Sequence, residues 1–468
     1  MYRFFLLFTA LILSLPSFLI AGNKDQEKPF WVTVGKINIT GNQITKNGII
    51  LREMEVKSGD SLTWSALQKK IVASRQNLLN RGLFNFVDIK PDLAGPRKVN
   101  LNISVVERWY IWPIPILAVT DRNLNVWWEQ KKLSRIDYGV NLKVNNFRGR
   151  MEVLNLLLQN GYNKSFQIKW NTPYVNKRKT WGLGFWAGIV FNHETDYTTR
   201  DNKLLYFGEA HDFVKKHGFA DLSFSYRPLY RKLNSFWLKW NHYTLSDSLL
   251  TLNPAYAYGQ KNFSYLSFRY NFRLDYRDYA PYPLNGYYLE FDFEKTGLGI
   301  LNKKVDEIST YISYDRYLHL KNRWYYAFNV SSKLVPNRYR PYFLERGLGY
   351  PPFTLRGYEL YVINGMWTNI FRSNFKYELI SKHVFQLPYI KSDTFGKIFY
   401  ALYANIILDM GYVMDRRNPN TNPLTNKLIY GTGLGLDYVT YYDTVIRFEY
   451  TLNGQGQTHF FISLVAPI

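Results

Sequence analysis

Cysteine is absent from all 468 residues. That rules out disulfides, thiolate metal sites and a lipid anchor on an N-terminal cysteine. Beyond residue 22 the chain also lacks any run of about 20 apolar residues, so no later segment reads as a membrane-spanning helix. Gly-x-Ser-x-Gly, His-Glu-x-x-His and P-loop motifs are missing. The histidines, His193, His211, His217, His242, His319, His383 and His459, are dispersed. The tightest group, His211-Asp212 with His217, fits a loop. Strand carboxylates such as Glu290 and Asp292 read as lining residues rather than an acid–base pair. An enzyme is therefore not expected, nor a cofactor or a metal centre.

What is abundant points to a surface that meets lipid. Aromatics make up 18% of the chain, with 39 Tyr, 32 Phe and 13 Trp. An apolar ring with a polar tip suits the headgroup boundary. The net charge of +23 is spread thinly, without a dense basic run. That favours phosphate-rich lipid surfaces over nucleic acid. A mean hydropathy of −0.28 resembles that of soluble proteins. A membrane barrel gives such a value too, because only alternate residues face lipid.

Residues 1–22 carry a basic start at Arg3, an apolar core from Phe4 to Leu15, a break at Pro16, and small Ala21 and Gly22. This is a signal-peptide layout. Residues 28–108 then read as a small α/β domain of order β-α-α-β-β. Val32 to Ile39 alternates as a strand, and Thr45 is placed to cap a short helix through Met54. Thr63 caps a longer helix with Trp64, Leu67, Ile71, Leu78 and Leu79 on one face, and Gly82 fits its end. Phe84 to Lys90 and Val99 to Val106 are two further strands.

From Tyr110 onward the period becomes 2. In Tyr287–Glu294, Leu289, Phe291 and Phe293 share one face and Glu290, Asp292 and Glu294 the other. Such strands recur near 110–120, 136–146, 149–159, 163–172, 180–192, 217–228, 234–245, 261–275, 286–297, 305–318, 322–335, 367–380, 397–413, 428–440, 443–452 and 457–466. Residues 201–213 read as a surface loop. Long strands, a charged polar face and the leader together predict a mainly β protein. Its body would be a 16-stranded transmembrane antiparallel barrel over 110–468, with polar residues inside and apolar ones outside.

The front domain resembles a polypeptide-transport-associated (POTRA) domain. The resemblance is carried by Ile37-x-Ile39-x-Gly41-Asn42, Arg52-Glu53, Gly59, Leu67, Leu79, Gly82-Leu83-Phe84-x-x-Val87 and Val105-x-Glu107. In the loop over 336–366, Leu355-Arg356-Gly357-Tyr358 resembles the tip of the sixth extracellular loop of BamA/TamA-type proteins. The resemblance implies that this loop folds into the lumen and that its arginine meets an acidic group on the thirteenth barrel strand. Ile407-Leu408-Asp409-Met410-Gly411 supplies one there, and parity with Asn405 turns Asp409 inward. Glu378, on the polar face of the twelfth strand, is a second candidate. Asp275-x-Arg277-Asp278 with Pro283-x-x-Gly286 resembles the family's turn between strands 8 and 9. One POTRA-like domain stands where assembly factors often carry several. The chain ends Ala466-Pro467-Ile468 where family barrels usually end in an aromatic residue.

The resemblance implies an outer-membrane protein of a Gram-negative bacterium, with its front domain in the periplasm. It would assemble barrels or move polypeptides. Unfolded clients would add to the front domain's sheet edge. Outer-membrane lipid including lipopolysaccharide, and periplasmic or lipoprotein partners, would complete the set. A passive or ligand-specific pore and lipid transfer are the rival functions. Pro113 and Pro115, two apart, remove two N–H donors from one edge of the first barrel strand. Either they weaken a seam with the last strand, or both lie in the linker below the membrane.

Overall fold

The structure, a computed structural model, describes residues 30–119, 136–337, 340–390, 392–415, 422–440 and 442–464. The expected leader over 1–22 and the terminal Pro467 lie outside these residues. The front domain runs β1 (Trp31–Thr40), α1 (Asn47–Glu53), β2 (Ser61–Thr63), α2 (Trp64–Leu79), β3 (Phe84–Gly95) and β4 (Lys98–Glu107). Its sheet order is β2-β1-β4-β3, with β1 and β4 parallel. The edge strand β2 is additional to the expected order; three residues are too few for alternation to register. Ile50, Leu67, Phe84, Val99 and Leu101 are fully buried between helices and sheet.

Local signals hold in most places. Thr63 Oγ1 accepts from Ala66 N at 3.3 Å, capping α2. Gly82 takes φ +67 just beyond the helix, a left-handed conformation that glycine adopts without a Cβ penalty. Thr45 is a correction. The residue preceding α1 is Lys46, with no side-chain cap. Thr45 Oγ1 instead lies 3.2 Å from the Tyr110 hydroxyl and accepts from Asn146 Nδ2 at 2.8 Å. Its hydroxyl ties the domain to the barrel rather than to its own helix.

The second part contains β5 (Ile111–Val119), β6 (Ile136–Phe147), β7 (Glu152–Gly161), β8 (Lys164–Thr172), β9 (Trp181–Asn192), β10 (Glu194–Arg200), β11 (Lys203–Gly208), β12 (Lys215–Leu229) and β13 (Lys232–Leu245). After a short helix α3 (Asp247–Leu252) come β14 (Asn262–Asp275), β15 (Gly286–Thr296), β16 (Glu307–Lys321), β17 (Trp324–Leu334), β18 (Trp367–Gln386) and β19 (Lys397–Met414). The last three are β20 (Leu428–Thr440), β21 (Thr444–Asn453) and β22 (Thr458–Leu464). One antiparallel sheet of 16 strands runs from β5 to β22, leaving out only β10 and β11. The mainly β class and the strand number are as expected. Residues 201–213 are not: β10 and β11 form their own hairpin. Asp201 and Asn202 have φ +52 and +58, the two-residue geometry that matches strand twist.

The sheet is polar inside and apolar outside. Asn241, Asn271, Asn329, Asn374, Asp409 and Asp437 are at most 3% exposed. Phe166, Phe224, Leu238, Ile312, Ile406 and Leu434 are each at least 40% exposed. A soluble sandwich has the reverse arrangement. A continuous apolar exterior around a hydrogen-bonded polar interior is stable in lipid.

The front domain covers one mouth of this barrel. Of the seven turns at that end, it hydrogen-bonds to six. Lys46 N donates to Gly149 O, Arg52 Nε to Lys179 O, Tyr230 Oη to Met54 O, Ala280 N to Asn80 Oδ1, Asn85 Nδ2 to Thr394 O and Arg108 to Asp443. At its centre, the wholly buried Glu53 accepts from Arg227 Nη2 at 2.7 Å and from the Tyr174 hydroxyl at 3.0 Å. Burial alone would raise the Glu53 carboxyl; Arg81 and Arg227 hold it below the usual range. Its folded pKa is therefore below its unfolded one. The stability it contributes is complete above the ordinary value of 4.5 and is lost as pH falls through the lower folded value.

Removing one partner of such a buried pair costs about 3–5 kcal/mol. Glu53→Gln should therefore release the front domain, read as faster tryptic cleavage near Arg108 in the full-length protein. The wild type should stay protected down to about pH 5 and open only in stronger acid. Opening of the wild type between pH 5 and 7 would contradict the assignment to Glu53.

Candidate functional site

At the far end the long connection between β17 and β18 turns back into the barrel. Leu355 is fully buried, packed with Leu348, Phe353, Ile363, Ile370, Val413 and Ile429. That packing brings Arg356 to the inner wall. Arg356 Nε donates to Asp409 Oδ2 at 2.7 Å, and its Nη2 meets Asp409 Oδ1. Nη1 donates to Asn374 Oδ1 at 2.6 Å and lies 3.7 Å from Glu449. The backbone N–H of Arg356 also points at Asp409, at 3.2 Å. One side chain thus binds β18, β19 and β21 together. The fork geometry of guanidinium on carboxylate supplies direction as well as charge.

The neighbouring residues fix the tip. Gly357 has φ +86, and Asn453 Nδ2 donates to its carbonyl at 2.8 Å. The backbone passes so close to β20 that a Cβ on Gly431 would stand 2.0 Å from Arg356 O. Tyr358 is buried, and its hydroxyl accepts from Gly454 N at 3.2 Å. Glu378 takes no part. It lies four residues beyond Asn374 on β18, about 13 Å away at strand rise, and faces the Tyr325 and Tyr403 hydroxyls.

The β14–β15 turn sits at the other mouth. Arg277 Nη2 meets Asp275 Oδ2 at 2.7 Å, and Asp278 Oδ1 accepts from Tyr279 N and Leu284 N. Pro283 is buried, and Gly286 has φ +109 with no room for a Cβ beside Tyr276 O. The turn projects inward: Tyr282 Oη donates to Asp437 Oδ2 at 2.8 Å.

Pro113 and Pro115 lie within β5, opposite Leu142 and Val140 of β6. Asn145 N donates to Tyr110 O at 2.7 Å, which sets the phase of this ladder. In antiparallel pairing, even-numbered residues of β5 then turn their backbone groups toward β6 and odd-numbered ones away. Both proline nitrogens therefore face the outer edge of β5. Among the described residues no ladder joins that edge to β22. β22 is seven residues long and holds no buried residue.

Residues 32–108 match the family model described as POTRA, surface antigen variable number repeat. CdiB from Escherichia coli aligns over 93% of this chain and 73% of its own, at 13% identity and a TM-score of 0.53. BamA from Haemophilus ducreyi lacking POTRA domains 1–3 covers 93% and 83%, at 14% identity and a TM-score of 0.48. CdiB from Acinetobacter baumannii covers 92% and 74%, at 15% identity and a TM-score of 0.49. No curated protein matches the sequence. The chain carries a POTRA domain at residues 32–108, and as a whole it has the fold of CdiB from Escherichia coli.

Sequence reading did not find several groups that matter. Asn374, Glu449 and Asn453 complete the Arg356 set but sit in ordinary alternating strands. Arg227, Tyr174 and Arg81 complete the Glu53 set from 174, 121 and 28 residues away. Among the described residues no group of acids and histidines could hold a metal ion.

Arg356→Asp places two carboxylates together, and Asp409→Arg two guanidinium groups. Each single change should cost about 3–5 kcal/mol and leave the loop open to added protease. The double exchange should restore much of the lost thermal stability. Double-exchange protein no better than the worse single variant would count against direct pairing.

Proposed function

We propose that this protein inserts or translocates polypeptides at the outer membrane, with client strands entering between β5 and β22. The observation carrying this reading is the phase of Pro113 and Pro115. Two donors are missing from the edge of β5 that would have to hold β22. Each absent hydrogen bond is worth about 1 kcal/mol net, and more where lipid leaves an acceptor unsatisfied. A seam of this kind can open at less cost than any interior strand pair. β3, at the edge of the POTRA sheet, offers an extended segment a strand to pair with. Outer-membrane lipid, with lipopolysaccharide at the distal rim, forms the surroundings, and periplasmic or lipoprotein partners dock on the exposed POTRA surface.

A passive pore fits less well, because both mouths are covered. The POTRA domain lies across one. The distal end carries a packed cluster of Val214, Leu245, Leu249, Tyr256, Phe263 and Tyr342. The β10–β11 hairpin lies over this end. Val362 N donates to Asn202 O at 2.8 Å, and Leu424 N to Asn202 Oδ1 at 3.0 Å.

The lack of native cysteine makes a test clean. Ile114→Cys combined with single cysteines along Thr458–Leu464 should yield one or two pairs that oxidise to a disulfide. Locking the seam should abolish function, and reduction should restore it. Full activity in the oxidised state would sink the seam. Depletion followed by an outer-membrane proteome separates the broader readings. Loss of many barrels means assembly, and loss of one secreted substrate a dedicated translocator. Unchanged proteins with altered solute uptake would mean a pore.

A further inference from the structure

A cavity of about 180 Å³ lies between the end of α2 and the feet of β12–β15. It sits beside the Glu53 set, at the junction of POTRA domain and barrel. Six of its twelve lining residues are Arg or Lys, and one, Asp275, is a carboxylate. Three of the cations are matched. Arg227 has Glu53, Arg277 has Asp275, and Arg273 donates to Glu290 Oε1 at 3.0 Å.

Arg81 is not matched in this way. Its Nε atom is buried and has no hydrogen-bond acceptor among the described residues. The nearest carboxylate oxygen, Glu53 Oε2, is 3.6 Å away and already accepts from Arg227. The C-terminal dipole of α2 offers at most about half a negative charge. The Arg81 side chain as a whole is 24% exposed and lines the cavity, so part of it remains open to an acceptor there. The cavity is far larger than the roughly 10–15 Å³ one water needs, so an acceptor with several oxygens fits beside Arg81 and Arg273.

We propose that this cavity binds a phosphate oxyanion, which bridges Arg81 of the POTRA domain to Arg273 of the barrel. Phosphate suits the site because it offers several charged acceptor oxygens to guanidinium forks approaching from two sides. Two sources share that chemistry: free phosphate, and the phosphodiester of a phospholipid headgroup. Binding would strengthen the closure of the mouth beneath the POTRA domain, since the anion adds a contact made only in the docked state.

The test uses the full-length protein in an uncharged, phosphate-free detergent. Inorganic phosphate is titrated calorimetrically against chloride at matched ionic strength, and soluble dihexanoyl phosphatidylglycerol is titrated in parallel. Arg81→Gln and Arg273→Gln are measured alongside. Arg273 stands on the barrel wall, so its variant should keep the POTRA domain protected from protease even if Arg81→Gln loosens it. Saturable phosphate binding, weakened about tenfold or more in both variants by loss of a charge-assisted hydrogen bond, supports the site with free phosphate as ligand. Binding of the headgroup alone, weakened likewise, supports it with lipid as the source. No binding beyond the chloride control, or binding unchanged by Arg273→Gln, overturns the proposal.

Discussion

A charged side chain can be kept inside a narrow barrel only where an opposite charge and enough hydrogen bonds meet it. In this protein that constraint is answered at Arg356 and Asp409. Asp409 is wholly buried, and Arg356 reaches it from a loop that began outside the barrel. Without the carboxylate, the desolvation of the guanidinium would push the loop back out. With it, the loop ties β18, β19 and β21 to one another and packs against the inner wall. Glu53 with Arg227 repeats the device at the opposite mouth, with the POTRA domain in place of the loop. In both cases a buried guanidinium–carboxylate fork helps to hold an element of the chain across an opening, and at the POTRA domain Arg108 with Asp443 adds a second fork.

The rest of the architecture follows from having closed both ends. A covered barrel has no ready axial path, and under the proposed function a client would therefore move at its wall. The wall is uneven. β18 and β19 are 20 and 18 residues long and pair over most of that length. β22 has seven residues and β5 two prolines facing its open edge. The ladder shortens from β19–β20 through β20–β21 to β21–β22, and among the described residues none joins β22 to β5, so the weakest place is fixed by backbone chemistry. The side chains of β22 do not compensate, for Phe460, Ile462 and Leu464 are each more than 60% exposed and face outward.

Much of this was legible in the sequence, for identifiable reasons. The sixteen strands declare themselves because lipid outside and water inside impose a strict period of 2 on long segments. The inward direction of Asp409 follows from parity with Asn405. The hairpin at Glu194–Gly208 was not legible as strand, because Glu194, Thr195, Asp196, Thr198, Thr199 and Arg200 show no apolar face, although Asp201-Asn202 is a fair turn signal. Thr45 was misread because a hydroxyl before a helix is normally a cap, and only the folded junction offers it Tyr110 and Asn146. Glu378 stood as a second partner of Arg356 because it faces inward, and only strand register tells that it lies at the wrong height while Glu449 lies near the right one. The Glu53 set could not be read at all, since its partners are brought together by docking rather than by spacing.

The central claim is that ion pairs hold the barrel shut at both mouths, so that passage does not run along its axis. Single-channel recording of the full-length protein in planar lipid bilayers tests this directly. The account predicts little steady conductance for the wild type. It predicts frequent large openings when Glu53→Gln and Arg356→Ala are combined. A stable, wide channel in the wild type, unchanged by those two substitutions, would contradict it.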